Sequence, residues 1–200
     1  CGQVCCSIER VYVECEVAKN LIEAMVERTR RLKIGHGLDE GVEIGPMVAS
    51  SERTRVEGMV TDARRRGAKV LTGGARPDVG LPGYFYAPTI LTSLSDAAQL
   101  MRRETFGPVL PIISVRSSDE AVRRSNSLPF GLAASVWSAD TARAAALARR
   151  IEAGIVAVNR TTGSIVQHPW GGMKSSGTGR LLGVEGIREF AEVVTIRLPA

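Results

Sequence analysis

The sequence predicts an α/β fold, a mostly parallel sheet flanked by helices. Three observations carry this expectation. Short β-branched runs alternate along the chain with segments of helical apolar spacing. Glycines and prolines punctuate the boundaries between them. Internal repeats and low-complexity tracts, which would signal a solenoid or a disordered segment, do not occur.

The elements follow in order. Val11-Tyr12-Val13 reads as a strand. A helix is expected over residues 16–32, where Val17, Leu21, Ile22, Met25 and Val26 recur at helical spacing. A glycine-marked loop ends at Gly45-Pro46, and a second helix is expected over 50–66, opened by serines and closed by Gly67. Residues 68–72 form a short strand before the Gly73-Gly74 turn, and 84–86 and 89–91 look extended. The loop 103–108 leads into an apolar strand, 109–115. Ser118-Asp119 cap a short helix to Ser125.

After a turn at 126–131, residues 132–137 read as a buried strand. An alanine-rich helix spans 139–151, and 155–159 is another buried strand. A glycine-rich tract, 169–179, precedes a helix over 184–190. The alternating Val193-Val-Thr-Ile-Arg-Leu198 reads as an edge or pairing strand.

Composition bounds the function. Two hundred residues can bury a sizeable core, and 44% hydrophobic with 24% charged is ordinary for a globular chain. The net charge of +5 is almost wholly arginine, since only four of the 26 basic residues are lysine. The densest cluster, Arg64-Arg65-Arg66, lacks interleaved aromatics, so a solvated helix face is expected and no nucleic-acid partner. No apolar run reaches membrane-spanning length and no signal peptide is visible, so neither a membrane partner nor secretion is expected. The four cysteines (Cys1, Cys5, Cys6 and Cys15) offer no pair of separated C-x-x-C motifs. They suit reduced thiols in the cytoplasm better than a metal site.

Two glycine patterns are decoys. Gly177-Thr178-Gly179 has the wrong final spacing for a dinucleotide fingerprint and no strand before it. Met173 stands where a phosphate loop needs its second glycine, ahead of Lys174-Ser175. The histidines, His36 and His168, have no carboxylate at ligand spacing, so exposed loop positions are expected. The adjacent Cys5 and Cys6 allow two readings. A sulfur after a flexible glycine and before a strand is well placed to act as a nucleophile. Buried, inert thiols are the bland alternative.

An ordered series of motifs decides between them. Gly2-Gln3-Val4-Cys5 is followed by Glu104-Thr105-Phe106-Gly107-Pro108-Val109. Asn126 with Pro129-Phe130-Gly131-Leu132 comes next, then Asn159, then Pro169-Trp170-Gly171-Gly172-Met173-Lys174-Ser175-Ser176-Gly177. Over essentially its whole length the chain resembles the aldehyde dehydrogenase superfamily.

That resemblance implies Cys5 as nucleophile, with Cys6 structural. The cysteine attacks an aldehyde to form a thiohemiacetal, then a thioester that water releases as the carboxylic acid. It implies NAD or NADP as cofactor, Glu104 at the nicotinamide ribose and Phe106 beside the nicotinamide. Thr162, Ile165 and Trp170 match walls of the substrate entrance. Glu52 and Arg55 align near the adenosine end, with a solvated helix face as the alternative, and Asn159 ties its loop down by side-chain bonds to backbone. The resemblance also implies a catalytic domain over residues 1–190 and an oligomerisation strand over 191–200, serving a homo-oligomer (dimer or tetramer) that acts on a small aldehyde. The dinucleotide-binding domain, the general-base glutamate and an asparagine oxyanion donor are expected to lie upstream, so this chain alone is expected to be inactive. A truncated, non-catalytic binding module and a CoA-acylating relative are the alternatives.

Overall fold

Residues Val11–Glu14 (β1), Lys69–Thr72 (β2), Thr89–Thr92 (β3) and Val109–Val115 (β4) build one sheet in the order β1-β4-β3-β2. β1 runs parallel to β4, pairing Val11 with Ile112, and β3 runs parallel to β4, pairing Thr89 with Val109. Only the edge strand β2 is antiparallel, against β3. The expected mostly parallel α/β sheet is therefore present, in a mixed form. The computed structural model describes residues 1–199.

Helices cover both faces because the strands alternate. Helix α1 (Cys15–Arg30) presents Ala18, Ile22, Met25 and Val26, spaced i, i+4, i+7 and i+8, to one face. It meets Val13, Ile90 and Ile112 there. Helix α2 (Ser50–Arg65) presents Val56, Met59, Val60 and Ala63 to the other, against Leu91, Val109, Ile113 and Val115. Neighbouring residues Ile90 and Leu91, and likewise Ile112 and Ile113, thus belong to opposite cores, as the two-residue period of a strand requires. A strand buried on both faces reads as a near-continuous apolar run, which is what β4 shows. A one-turn helix, α3 (Gln99–Arg102), adds Leu100 and Met101 to the second core.

The chain divides into two compact units, Cys1–Ala121 and Val122–Ala200, the boundary falling inside α4 (Ser118–Asn126). The cap of α4 sits one residue earlier than expected. Ser117 Oγ accepts from the Glu120 N–H at 3.2 Å, and the Glu120 carboxylate accepts from the Arg116 N–H at 3.0 Å. Two orphan donors are thereby satisfied reciprocally.

In the second unit, β5 (Phe130–Gly131) pairs antiparallel with β8 (Met173–Lys174), and β6 (Ala133–Val136) pairs parallel with β7 (Ile155–Val158). β6 and β7 are half-buried, not fully buried as expected, because a two-stranded sheet has few neighbours to cover it. Helix α5 (Thr141–Ala148) packs on them, with the Asp140 carboxylate capping its start through the Arg143 N–H at 2.9 Å. Helix α6 is shorter than expected, Gly183–Arg188. Residues 193–198 form no strand within this chain. Val193 (93% exposed), Ile196 (79%) and Leu198 (83%) face solvent, because no strand edge among the described residues is paired with them.

Asp62 joins two elements of the first unit. Its carboxylate accepts from the Gln99 N–H that opens α3 and from Arg66 Nε, both at 2.8 Å. The Gln99 bond, then Arg66, hold its pKa below the ordinary 3.8. A depressed carboxylate contributes stability that is complete above its unfolded pKa and is lost as pH falls through the folded one. Asp62→Asn is expected to lower the thermal unfolding midpoint at pH 7, and the gap to the parent protein should close below pH 3.8. Unfolding followed by circular dichroism across that pH range checks it.

Candidate active site

The first loop presents a thiol. Val4 accepts a backbone bond from Ser7 N–H at 2.9 Å, closing a turn whose two central residues are Cys5 and Cys6. Cys5 is exposed and Cys6 half-buried; both are free thiols. The closing bond uses the Ser7 amide, so the Cys5 N–H lies outside it. Gln3 fastens the loop from within, its Oε1 accepting from the Val48 N–H at 2.9 Å.

Gly2 fastens it from outside. It sits at φ +77, and a Cβ there would meet the Gly107 carbonyl oxygen at 2.5 Å. Gly107 is equally confined, since a Cβ on it would meet Val56 at 2.8 Å. Two glycines thus let the cysteine loop and the 103–108 loop touch backbone to backbone.

The second loop is held peptide by peptide. Both oxygens of the Glu9 carboxylate accept from it, one from the Thr105 N–H at 2.7 Å and one from the Phe106 N–H at 3.0 Å. Arg10 donates to the Arg103 carbonyl. Arg55 donates to the Thr105 carbonyl at 2.7 Å and the Glu104 carbonyl at 3.4 Å. The Arg55 guanidinium is in turn steadied by Glu52 at 2.8 Å. Glu104 is left exposed, Thr105 is fully buried, and Phe106 is half-buried at φ +47. Burial lowers the pKa of the Arg10 guanidinium, against the opposing pull of Tyr12, Glu9 and Glu104.

Cys5, Glu104 and Phe106 are thus on two loops brought into contact within the first unit. Glu52 and Arg55 are half-buried and bonded to each other, and Arg55 also to the 103–108 loop. They brace the loop that carries Glu104. Sequence reading missed this brace and the Glu9 anchor, because the partners lie 50 and 96 residues away and no local spacing marks such pairs.

The second unit carries the remaining positions. In the irregular segment 160–170, Thr162 and Trp170 are half-buried and Ile165 is exposed. Trp170 and Leu181 exchange backbone bonds at 2.6 and 2.7 Å, and the Gly183 N–H donates to Val166 at 2.9 Å, closing the base of the segment. Asn159, at φ +51, exchanges side-chain bonds with the Ser138 backbone, both at 2.8 Å, the tying role expected of it. Lys174 bridges the carbonyls of Asn126 and Leu128 and the Glu152 carboxylate, at 2.6, 3.2 and 2.7 Å. This lysine is a structural rivet rather than a phosphate ligand. His36 and His168 are both exposed. Among the described residues no group of His, Cys, Asp or Glu has the arrangement of a metal site.

The profile of the aldehyde dehydrogenase family matches residues 1–196. The chain belongs to the aldehyde dehydrogenase family. It is 36% identical over 192 residues to the peroxisomal aminoaldehyde dehydrogenase 1 of Pisum sativum, covering 96% of this chain and 38% of that protein. A Mycobacterium tuberculosis protein named "Putative succinate-semialdehyde dehydrogenase (NADP(+)) 2" is 40% identical over 200 residues, covering 98% of this chain and 38% of that protein. The solved betaine aldehyde dehydrogenase of Staphylococcus aureus in complex with NAD+ superposes with a TM-score of 0.91 at 34% identity, over 94% of this chain and 38% of that one. The chain therefore spans about 38% of the length of the relatives it matches.

In this aldehyde dehydrogenase chain Gly2→Ala is expected to push the two loops apart, since the added methyl meets a carbonyl that cannot yield without moving the backbone. The cost should be on the order of 1–3 kcal/mol of stability. The alkylation rate of Cys5 by iodoacetamide should change with it. Thermal unfolding and peptide mass mapping measure the two effects.

Proposed function

We propose that this chain is the nucleophile-bearing segment of an NAD(P)+-dependent aldehyde dehydrogenase that oxidises a small aldehyde to its carboxylic acid. One observation carries the reading. Cys5 is an exposed thiol at the tip of a turn pressed against the loop that presents Glu104 and Phe106.

The chemistry follows from those residues. The Cys5 sulfur, as thiolate, adds to the aldehyde carbon, forming a C–S bond and leaving charge on the former carbonyl oxygen. The Cys5 N–H, outside the turn's closing bond, is a donor for that oxygen. A nicotinamide dinucleotide held by Glu104 and Phe106 would supply the acceptor for the hydride that leaves the adduct carbon as the thioester forms. Water then cleaves the C–S bond, releasing the acid and restoring the thiol. Sulfur suits both halves, being nucleophilic near neutral pH and a good acyl leaving group.

The residues present fit the cofactor. Glu104 is an exposed carboxylate suited to a ribose diol, and Phe106 offers a half-buried ring to the nicotinamide. Thr162, Ile165 and Trp170 supply the substrate wall in this reading. The cofactor is NAD or NADP, a choice made where the 2′ position is bound. The general base, the second oxyanion donor and most of the dinucleotide site belong to parts of the protein outside this segment, so the isolated chain is inactive. The exposed alternation of residues 193–198 suits pairing with a partner subunit in a homo-oligomer. The four free thiols suit the cytoplasm.

In the full-length protein, Cys5→Ser is expected to lower aldehyde oxidation by about a thousandfold or more, while Cys6→Ser stays active. Steady-state NAD(P)H formation measures both, and the reverse pattern overturns the assignment. For the isolated chain, calorimetry is expected to find NAD binding weaker than micromolar; micromolar affinity contradicts the division of labour proposed.

A further inference from the structure

We infer that Glu9 is a positioning residue that sets the cofactor-facing loop against the loop of the nucleophile; the inference rests on the function proposed above. Glu9 lies in the segment that joins Cys5 to β1, and its carboxylate grips two consecutive peptide N–H groups 96 and 97 residues away. Those peptides belong to Thr105 and Phe106, directly after Glu104. One short stretch of chain therefore carries the sulfur and also fixes the two residues assigned to the cofactor.

The grip has a reason beyond general stability. Phe106 sits at φ +47, a region that residues with a Cβ occupy at a cost. Its N–H is held by Glu9, which fixes the peptide plane that leads into this strained residue. Released, the residue would return to negative φ, rotating the peptide planes on either side and with them the directions of the Glu104 and Phe106 side chains. Arg55 holds the same stretch from its carbonyls, at Thr105 and Glu104. Donors and acceptors of adjoining peptides are thus pinned by opposite charges.

A carboxylate is the group this geometry needs. It offers two acceptors to two parallel donors. An amide offers one acceptor and sets an NH2 against the second N–H, and aspartate is one methylene too short to span both.

The test uses the full-length protein. Glu9→Gln is expected to raise the KM for the dinucleotide about tenfold, the scale of one lost charge-assisted bond. The KM for the aldehyde and the iodoacetamide alkylation rate of Cys5 should stay close to those of the parent protein, with the unfolding midpoint lowered by only a few degrees. Arg55→Met is expected to give the same signature, and Glu9→Gln with Arg55→Met less than the product of the two effects, because both hold the same peptides. If Glu9→Gln fails to fold, Arg55→Met carries the test. An unchanged dinucleotide KM in the variants that fold overturns the inference. So does a parallel loss of stability, thiol reactivity and both kcat/KM values, the mark of a merely structural role. Cys5→Ser in the same assay separates the two levels. If it stays active the proposed function fails, whereas an inactive Cys5→Ser beside an unperturbed Glu9→Gln refutes the positioning role alone.

Discussion

The parallel pairing of β1 with β4 is the constraint on which the first unit depends. In a parallel ladder both strands start at the same edge, so the segments that precede them emerge side by side. The register Val11↔Ile112 therefore places residues 1–10 next to residues 103–108. The Gly2–Gly107 approach and the Glu9 bonds are consequences of that adjacency. In open α/β sheets ligands usually gather beyond the carboxyl ends of strands. Here the two motif loops lie ahead of their strands. Their conformation is held by side chains such as Glu9, Gln3 and Arg55.

The sheet and its two helices were legible because each has a period of its own. The apolar run at 109–115 belongs to a strand covered on both faces, and the apolar stripes near 18–26 and 56–63 belong to helices covered on one. What escaped was whatever depends on partners distant in sequence. The runs near 133–136 and 155–158 look buried in sequence, yet their burial is set by how many strands flank them. The alternation at 193–198 announces a strand, but a strand exists only where an edge receives it. The two-residue ladder of β5 with β8 is too short to leave any period. At the site, Cys5 was separated from Cys6 by family resemblance rather than by local chemistry; the turn then exposes the first more than the second. Nothing near Glu9 or Arg55 in sequence tells of the peptides they hold.

The arginine-rich composition has a structural use. Arg10, Arg55, Arg102 and Arg180 donate to backbone carbonyls in loops, and Arg30 to the Leu71 carbonyl of β2. A guanidinium presents several donors in a rigid fork and stays charged, so it can span two carbonyls or a carbonyl and a carboxylate at once. Arg55, between Glu52 and the Glu104–Thr105 peptides, does so. A flexible ammonium would bind one of these at a time.

Backbone strain falls where the motifs do. Of the five non-glycine residues at positive φ among the described residues, three (Phe106, Asn159 and Lys174) are motif positions, and Leu182 follows directly on the Trp170–Leu181 bridge. Such conformations persist only when their surroundings over-determine them. Phe106 is pinned through its own N–H and its neighbour's by Glu9, Asn159 by two bonds to Ser138, and Lys174 by two carbonyls and a carboxylate. In each case the bonds come from a segment remote in sequence. A motif of this kind is a record of tertiary contacts written into local sequence. That is why five modest motifs in order identify the family, while no single one of them discloses what holds it in place.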